Sequence, residues 1–262
     1  MSDHNLIEAG GTRLEVKRWP GRALPILLLH EGLGSISMWR DFPAALAKAT
    51  GHEVVAWSRR GYGASDPADA PRDNDYLHHE AAVVPAVMDA LNIRRAHLLG
   101  HSDGASIALI VAAQAGPRVA SLILEAPHVY VEKIALEGIE KAKALFHTTD
   151  FGARLGRHHR DGDLVFRRWH EIWLDPNFHD WSIEAILPRI SAPALLIQGE
   201  GDEYGSMDQL DRIAAILPQS RRLELADCGH SPHREQPQAV LAAITEFLHD
   251  IEPRPTPIKS PA

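Results

Sequence analysis

The segment Gly100-His101-Ser102-Asp103-Gly104 constrains this chain more than any other. Residues 95–99 before it read as a short apolar strand, and residues 105–115 after it as an apolar helix. Passing from strand to helix so abruptly leaves no room for side chains, so glycine is needed on both sides of the turn. The residue at the apex is then held in a strained backbone with its side chain pushed above the sheet edge. A Gly-x-Ser-x-Gly run between strand and helix is a nucleophile elbow, with Ser102 as the nucleophile. The competing reading is an ordinary strand-to-helix turn, and the flanking elements favour the elbow.

A serine hydroxyl is a weak nucleophile until a base takes its proton, and the base needs a third group to orient it. Residues 194–198 read as a buried strand ending in Gly199-Glu200-Gly201-Asp202-Glu203, and 222–225 as another, followed by Asp227-Cys228-Gly229-His230-Ser231-Pro232. Asp202 and His230 would both sit on loops at the carboxyl ends of parallel strands, where open α/β sheets place their sites. Three candidate loops in the order serine, acid, histidine constrain far more than any one alone.

These pieces, with Leu27-Leu28-Leu29-His30-Glu31-Gly32-Leu33-Gly34, Ser58-Arg59-Arg60-Gly61-Tyr62-Gly63-Ala64-Ser65 and the run from Gly229 through Pro237, resemble the α/β-hydrolase superfamily. The resemblance spans roughly residues 5–250 and is nearest to small bacterial esterases and carbon–carbon bond hydrolases with a helical cap. It implies a mostly parallel eight-stranded sheet with helices on both faces. It also implies Ser102 as nucleophile, His230 as general base and acid, and Asp202, rather than Glu200 or Glu203, as orienting acid. Some relatives place that acid where Glu125 stands, which makes Glu125 the rival; His233 is the less favoured base. For the oxyanion hole the resemblance points to the backbone N–H groups of Asp103 and Gly32, with Leu33 as the fallback. Glu31 and Asp103 depart from the pattern, which has glycine and an apolar residue there. A carboxylate beside a developing oxyanion is unfavourable, so both acids should be turned away or neutralised, with Arg59 and Arg60 as candidate partners.

The rest of the sequence is consistent with one such domain. Its 262 residues are 45% hydrophobic, enough for a large core. The net charge of −8 gives no reason to expect a nucleic-acid partner. No secretory signal is visible at the N-terminus, no apolar run reaches membrane-spanning length, and Cys228 is the single cysteine. Cytoplasm is the simplest reading, with a small-molecule substrate, no membrane partner, and a homodimer left open. No histidine or acid spacing signals a metal site, so none is expected, nor any cofactor.

A hairpin is expected about Gly10-Gly11, then buried strands at 26–30, 54–57, 96–99, 122–124, 195–197 and 223–225. Helical patterns cover 39–50, 77–91, 105–115, 207–217 and 237–249. One interval breaks the alternation: 128–188 holds helix-like stretches at 134–145 and 164–173 and no clear strand. It is read as a helical cap inserted into a core formed by 1–127 and 189–252, followed by a flexible tail over 253–262. The cap carries eight of the aromatics, Tyr130, Phe146, Phe151, Phe166, Trp169, Trp173, Phe178 and Trp181. Leu33, Trp169 and Trp173 are the candidate substrate contacts.

The reaction these residues suggest is cleavage of a carboxylic ester or thioester through an acyl-enzyme on Ser102. A carbon–carbon bond hydrolase of ring-cleavage diketones would use the same three residues. A binding protein that merely keeps the fold is the non-enzymatic alternative, disfavoured because all three residues are present. Dehalogenase and epoxide hydrolase relatives carry aspartate at the elbow, where this chain has Ser102.

Overall fold

The computed structural model describes residues 5–68 and 71–252; the tail expected over 253–262 lies outside them. Eight strands form a single sheet in the order β1-β2-β4-β3-β5-β6-β7-β8. β1 (Asn5–Ala9) and β2 (Thr12–Trp19) form an antiparallel hairpin. Its two-residue turn has positive φ at both Gly10 and Gly11, the backbone that matches strand twist. From β3 onward, β3 (Ala23–Leu29), β4 (His52–Trp57), β5 (Ala96–His101), β6 (Val119–Glu125), β7 (Ala194–Gly199) and β8 (Arg221–Leu225) pair parallel.

The central strands are apolar on both sides because helices cover both faces. Leu27, Leu29, Val55, Trp57 and Leu98 face one core, which α2 (Tyr76–Ala90) and α3 (Asp103–Gln114) help to close. Ile26, Leu28, Val54, Ala56 and Leu99 face the other, beneath α1 (Phe42–Thr50) and the last helix. This two-residue alternation is the strand period itself. Fully burying such a side chain contributes about 1.5–3 kcal/mol, which fixes the register, since a one-residue slip would exchange the two faces.

One helix expected as continuous is interrupted. The pattern over 39–50 divides into a 3-10 turn at Ile36–Trp39 and α1, separated by Arg40 at φ 53, with a proline inside the first turn of α1. At the carboxyl end the helix expected over 237–249 is present as Pro237–Ile251, and a separate short helix, Pro232–Glu235, precedes it. Proline disfavours helical backbone on the residue before it, and Gln236 accordingly sits at φ −131, ψ 57.

Between β6 and β7 the chain leaves the sheet. It forms α4 (Lys133–Thr148), α5 (Phe151–Leu155), α6 (Gly162–Trp173) and 3-10 turns at Pro176–Phe178 and Glu184–Arg189. Among its aromatics, Phe146 and Phe166 stack at 3.9 Å and Phe178 and Trp181 at 5.4 Å. Aromatic packing therefore holds much of this excursion together. The remaining helices are α7 (Asp208–Ile216), α8 (Pro232–Glu235) and α9 (Pro237–Ile251).

Candidate active site

Ser102 stands between β5 and α3 at φ 54, ψ −119, a conformation that disfavours any side chain. The flanking glycines are required by contact. A Cβ on Gly100 would lie 2.2 Å from the Gly104 carbonyl oxygen, and one on Gly104 would lie 2.0 Å from that of Leu29. Ser102 itself is anchored by its N–H, which donates to the Glu125 carbonyl at 2.9 Å. The turn expected from sequence is the turn observed.

His230 and Asp202 come together on the adjoining loops. His230 Nδ1 is 2.8 Å from each carboxylate oxygen of Asp202. Since a carboxylate only accepts, Nδ1 carries the hydrogen and Nε2 is left as the basic nitrogen. Burial opposes charge on the ring, but the Asp202 carboxylate outweighs it and raises the His230 pKa above the ordinary histidine value. Burial likewise disfavours the Asp202 carboxylate, yet the adjacent imidazole and the hydrogen bonds it accepts hold its pKa below the usual range.

Ser102 and His230 line one cavity of about 190 Å³. Among the described residues no hydrogen bond joins the Ser102 hydroxyl to the His230 ring. Catalytic hydrogen bonds commonly tighten only with substrate in place, so proximity in a shared cavity is the relevant geometry. Leu33, Trp169 and Trp173 line the same cavity, as do Phe151 and Leu155 of α5. The other five excursion aromatics do not reach it.

Asp103 and Gly32, the two expected oxyanion donors, both line the cavity. Asp103 is the first residue of α3, so its N–H has no acceptor within the helix and lies at the positive end of the helix dipole. The Gly32 carbonyl accepts from the Tyr62 hydroxyl at 2.9 Å. A Cβ on Gly32 would be 2.4 Å from the Trp169 ring, so glycine is sterically required there. The fallback donor is already engaged: the Leu33 N–H donates to a Glu31 carboxylate oxygen at 2.5 Å.

Both departing acids belong to residues that line the cavity. Asp103 is buried, accepts from the Tyr76 hydroxyl at 3.1 Å, and lies 3.8 Å from the Arg59 guanidinium. Arg59 also donates to the Glu31 carbonyl at 2.9 Å, bracing the loop it neutralises. Arg60 instead donates to the Pro67 carbonyl at 2.9 Å. Burial raises the pKa of the Glu31 carboxyl, with the Leu33 N–H opposing it.

Glu125, the rival acid, is bound to the other histidine: His233 Nδ1 is 2.7 Å from its carboxylate, and both residues are buried. His101 sits between the two pairs, its ring 5.1 Å from each histidine ring. His101 Nε2 donates to the His230 carbonyl at 2.7 Å.

Several supporting residues carried no sequence signal. Gln198 Nε2 donates to Asp202 at 2.8 Å and to the Gly205 carbonyl at 2.9 Å. The Tyr204 N–H donates to the other Asp202 oxygen at 2.8 Å, and the Tyr204 ring packs 4.8 Å from His230. His128, on the first loop of the excursion, reaches the cavity with its pKa pushed down to about 4 by burial and by the charge of His230. Such residues occupy strand ends and loops where any polar type is unremarkable in sequence.

A strained serine at a strand–helix turn and a histidine held by a carboxylate, beside one cavity on an eight-stranded α/β sheet, are the arrangement of a hydrolase of the α/β type. The chain belongs to the alpha/beta hydrolase fold family, whose model matches residues 25–155. It is 29% identical to the protein named "Putative carbamate hydrolase RutD" of Pseudomonas savastanoi pv. phaseolicola, over 90% of this chain and 98% of that protein. It is 27% identical to esterase YbfF of Escherichia coli, over 86% of this chain and 93% of that one. Proline iminopeptidase from Mycobacterium smegmatis superposes with a TM-score of 0.77 at 22% identity, covering 95% of this chain and 98% of that one, a likeness of fold.

Proposed function

We propose that this protein is a serine hydrolase that cleaves a carboxylic ester or thioester of a small molecule. Ser102 attacks the carbonyl carbon while His230 Nε2 takes its proton. The negative charge gathering on the carbonyl oxygen is met by the N–H groups of Asp103 and Gly32. As the tetrahedral adduct collapses, His230 returns the proton to the departing alcohol or thiol, leaving an acyl group on Ser102. Water, deprotonated by the same nitrogen, then releases the acid. Asp202 keeps the ring in the tautomer both steps need.

The observation that carries this reading is the pairing of His230 with Asp202 at 2.8 Å beside the cavity that Ser102 lines. A cavity of about 190 Å³ with largely apolar walls suits a short acyl group better than a long chain. We place the substrate-selecting role on Leu33, Trp169 and Trp173.

The test is covalent labelling by a fluorophosphonate together with p-nitrophenyl acetate and butyrate turnover. Ser102→Ala should abolish both. A folded wild-type protein that is neither labelled nor active on any short ester would refute the proposal. Turnover of vinylogous diketones with ester turnover absent would redirect it to carbon–carbon cleavage.

A further inference from the structure

The cleft lies at the carboxyl ends of the strands; a different cluster of ligating side chains lies at their amino ends. His52 opens β4, His97 is the second residue of β5, and Glu252 caps the end of α9. Both histidines are buried, and Glu252 is half-buried. Glu252 Oε1 is 3.3 Å from His52 Nε2 and 3.5 Å from His97 Nε2, and the three ligating atoms all fall within 4.8 Å of one another.

These separations are longer than a good N–H···O hydrogen bond, and His97 Nε2 is buried with no hydrogen-bond partner. The opposite ring nitrogens are engaged. His52 Nδ1 lies 2.6 Å from the Leu24 carbonyl, which only accepts, so in the neutral ring Nδ1 carries the hydrogen and Nε2 presents a lone pair. His97 Nδ1 lies 2.7 Å from the Ser121 hydroxyl. Two imidazole edges and a carboxylate oxygen thus turn toward one point. An ion held tetrahedrally about 2.0–2.1 Å from each ligand places the ligands about 3.3–3.4 Å apart, close to the two nitrogen–oxygen spacings here. A backbone carbonyl behind the far nitrogen is the usual outer partner of a metal-bound histidine.

We propose that His52, His97 and Glu252 bind one divalent transition-metal ion of the Zn²⁺ kind, which fastens the end of α9 to the amino edge of the sheet. Imidazole and carboxylate together suit such an ion better than Mg²⁺ or Ca²⁺. His97 lies five residues before Ser102 along β5, roughly 16 Å of extended chain, so the ion acts on stability and takes no part in hydrolysis. The three ligands come from three distant segments, which is why spacing alone gave no sign of them.

The test titrates EDTA-treated full-length protein with Co²⁺ and with Zn²⁺. One ion per chain should bind, with the visible absorption of four-coordinate Co²⁺. Zn²⁺ at about 100 times its dissociation constant should raise the thermal midpoint by about 5–10 °C. Glu252→Gln, at a half-exposed position, should weaken binding at least tenfold and remove about half of that shift or more. Its ester turnover should match that of the wild type. His52→Gln should weaken binding in the same way. Absence of stoichiometric binding, or equal affinity in wild type and Glu252→Gln, would overturn the assignment.

Discussion

The Tyr62 hydroxyl donates to the carbonyl oxygen of Gly32 at 2.9 Å, tying the loop after β4 to the loop after β3 that lines the cavity. Tyr62 is itself in contact with the Arg72 guanidinium through the same oxygen, so the hydroxyl is oriented from both sides. Tyr62→Phe keeps the ring and its packing but leaves a buried carbonyl unpaired. A loss of about 1–2 kcal/mol of positioning is expected, seen as a 5–30-fold fall in kcat with little change in KM. Steady-state kinetics on a short ester checks it; an unchanged kcat would mean that the loop holds its shape unaided.

The strain at Ser102 makes a separable prediction. Ser102→Ala and Ser102→Gly should both be inactive, yet glycine adopts φ 54, ψ −119 without steric opposition. The glycine variant should therefore be the more stable of the two by about 1 kcal/mol. Urea midpoints measured side by side decide it, and equal midpoints would show a relaxed elbow.

The Asp202–His230 pair sets the pH response. A base must be unprotonated, so kcat/KM should rise with pH as His230 loses its proton, with a midpoint above the ordinary histidine value. Asp202→Asn removes the group that raises that pKa most and leaves burial opposed only by the weaker effects of Glu203 and Glu31. The midpoint should move to lower pH while the limiting rate falls by about 10⁴-fold. A pH profile with the midpoint unmoved in Asp202→Asn would place the controlling charge elsewhere.

His159 should weaken the fold in acid. Its Nδ1 accepts from the Gly63 N–H at 3.0 Å and its Nε2 donates to the Leu33 carbonyl at 2.9 Å, so the ring works only when neutral. Burial pushes its pKa down to about 4. Because the folded value lies below the unfolded one of about 6.5, this contribution is complete above pH 6.5 and lost as pH falls toward 4. Its ceiling is about 3 kcal/mol. Denaturant midpoints from pH 7 to 4 should fall less steeply in His159→Gln than in the wild type.

How much of this was legible in sequence depended on how local the signal was. The elbow, the strand ends bearing Asp202 and His230, and the strand–helix alternation each show within a few residues, through glycine placement or apolar runs. The helix break at Arg40 turned on a single backbone angle and was invisible beneath a continuous apolar pattern. The neutralisation of Asp103 needed Tyr76 and Arg59, which only the packed fold brings beside it. Pairing of Glu125 with His233 joins a strand end to a helix 108 residues later, beyond any periodicity.

The excursion leaves the carboxyl end of β6 at Glu125 and rejoins the sheet at Ala194, the amino end of the neighbouring parallel strand, where Ala194 pairs with Leu122. Its two ends are thus held roughly 11 Å apart, three residues of strand and one inter-strand step, whatever lies between them. Segments of different length or sequence can be spliced there with little entropic penalty, because ring closure depends only weakly on length. A roof over Ser102 can consequently diversify while the hydrogen-bonded floor beneath it stays fixed.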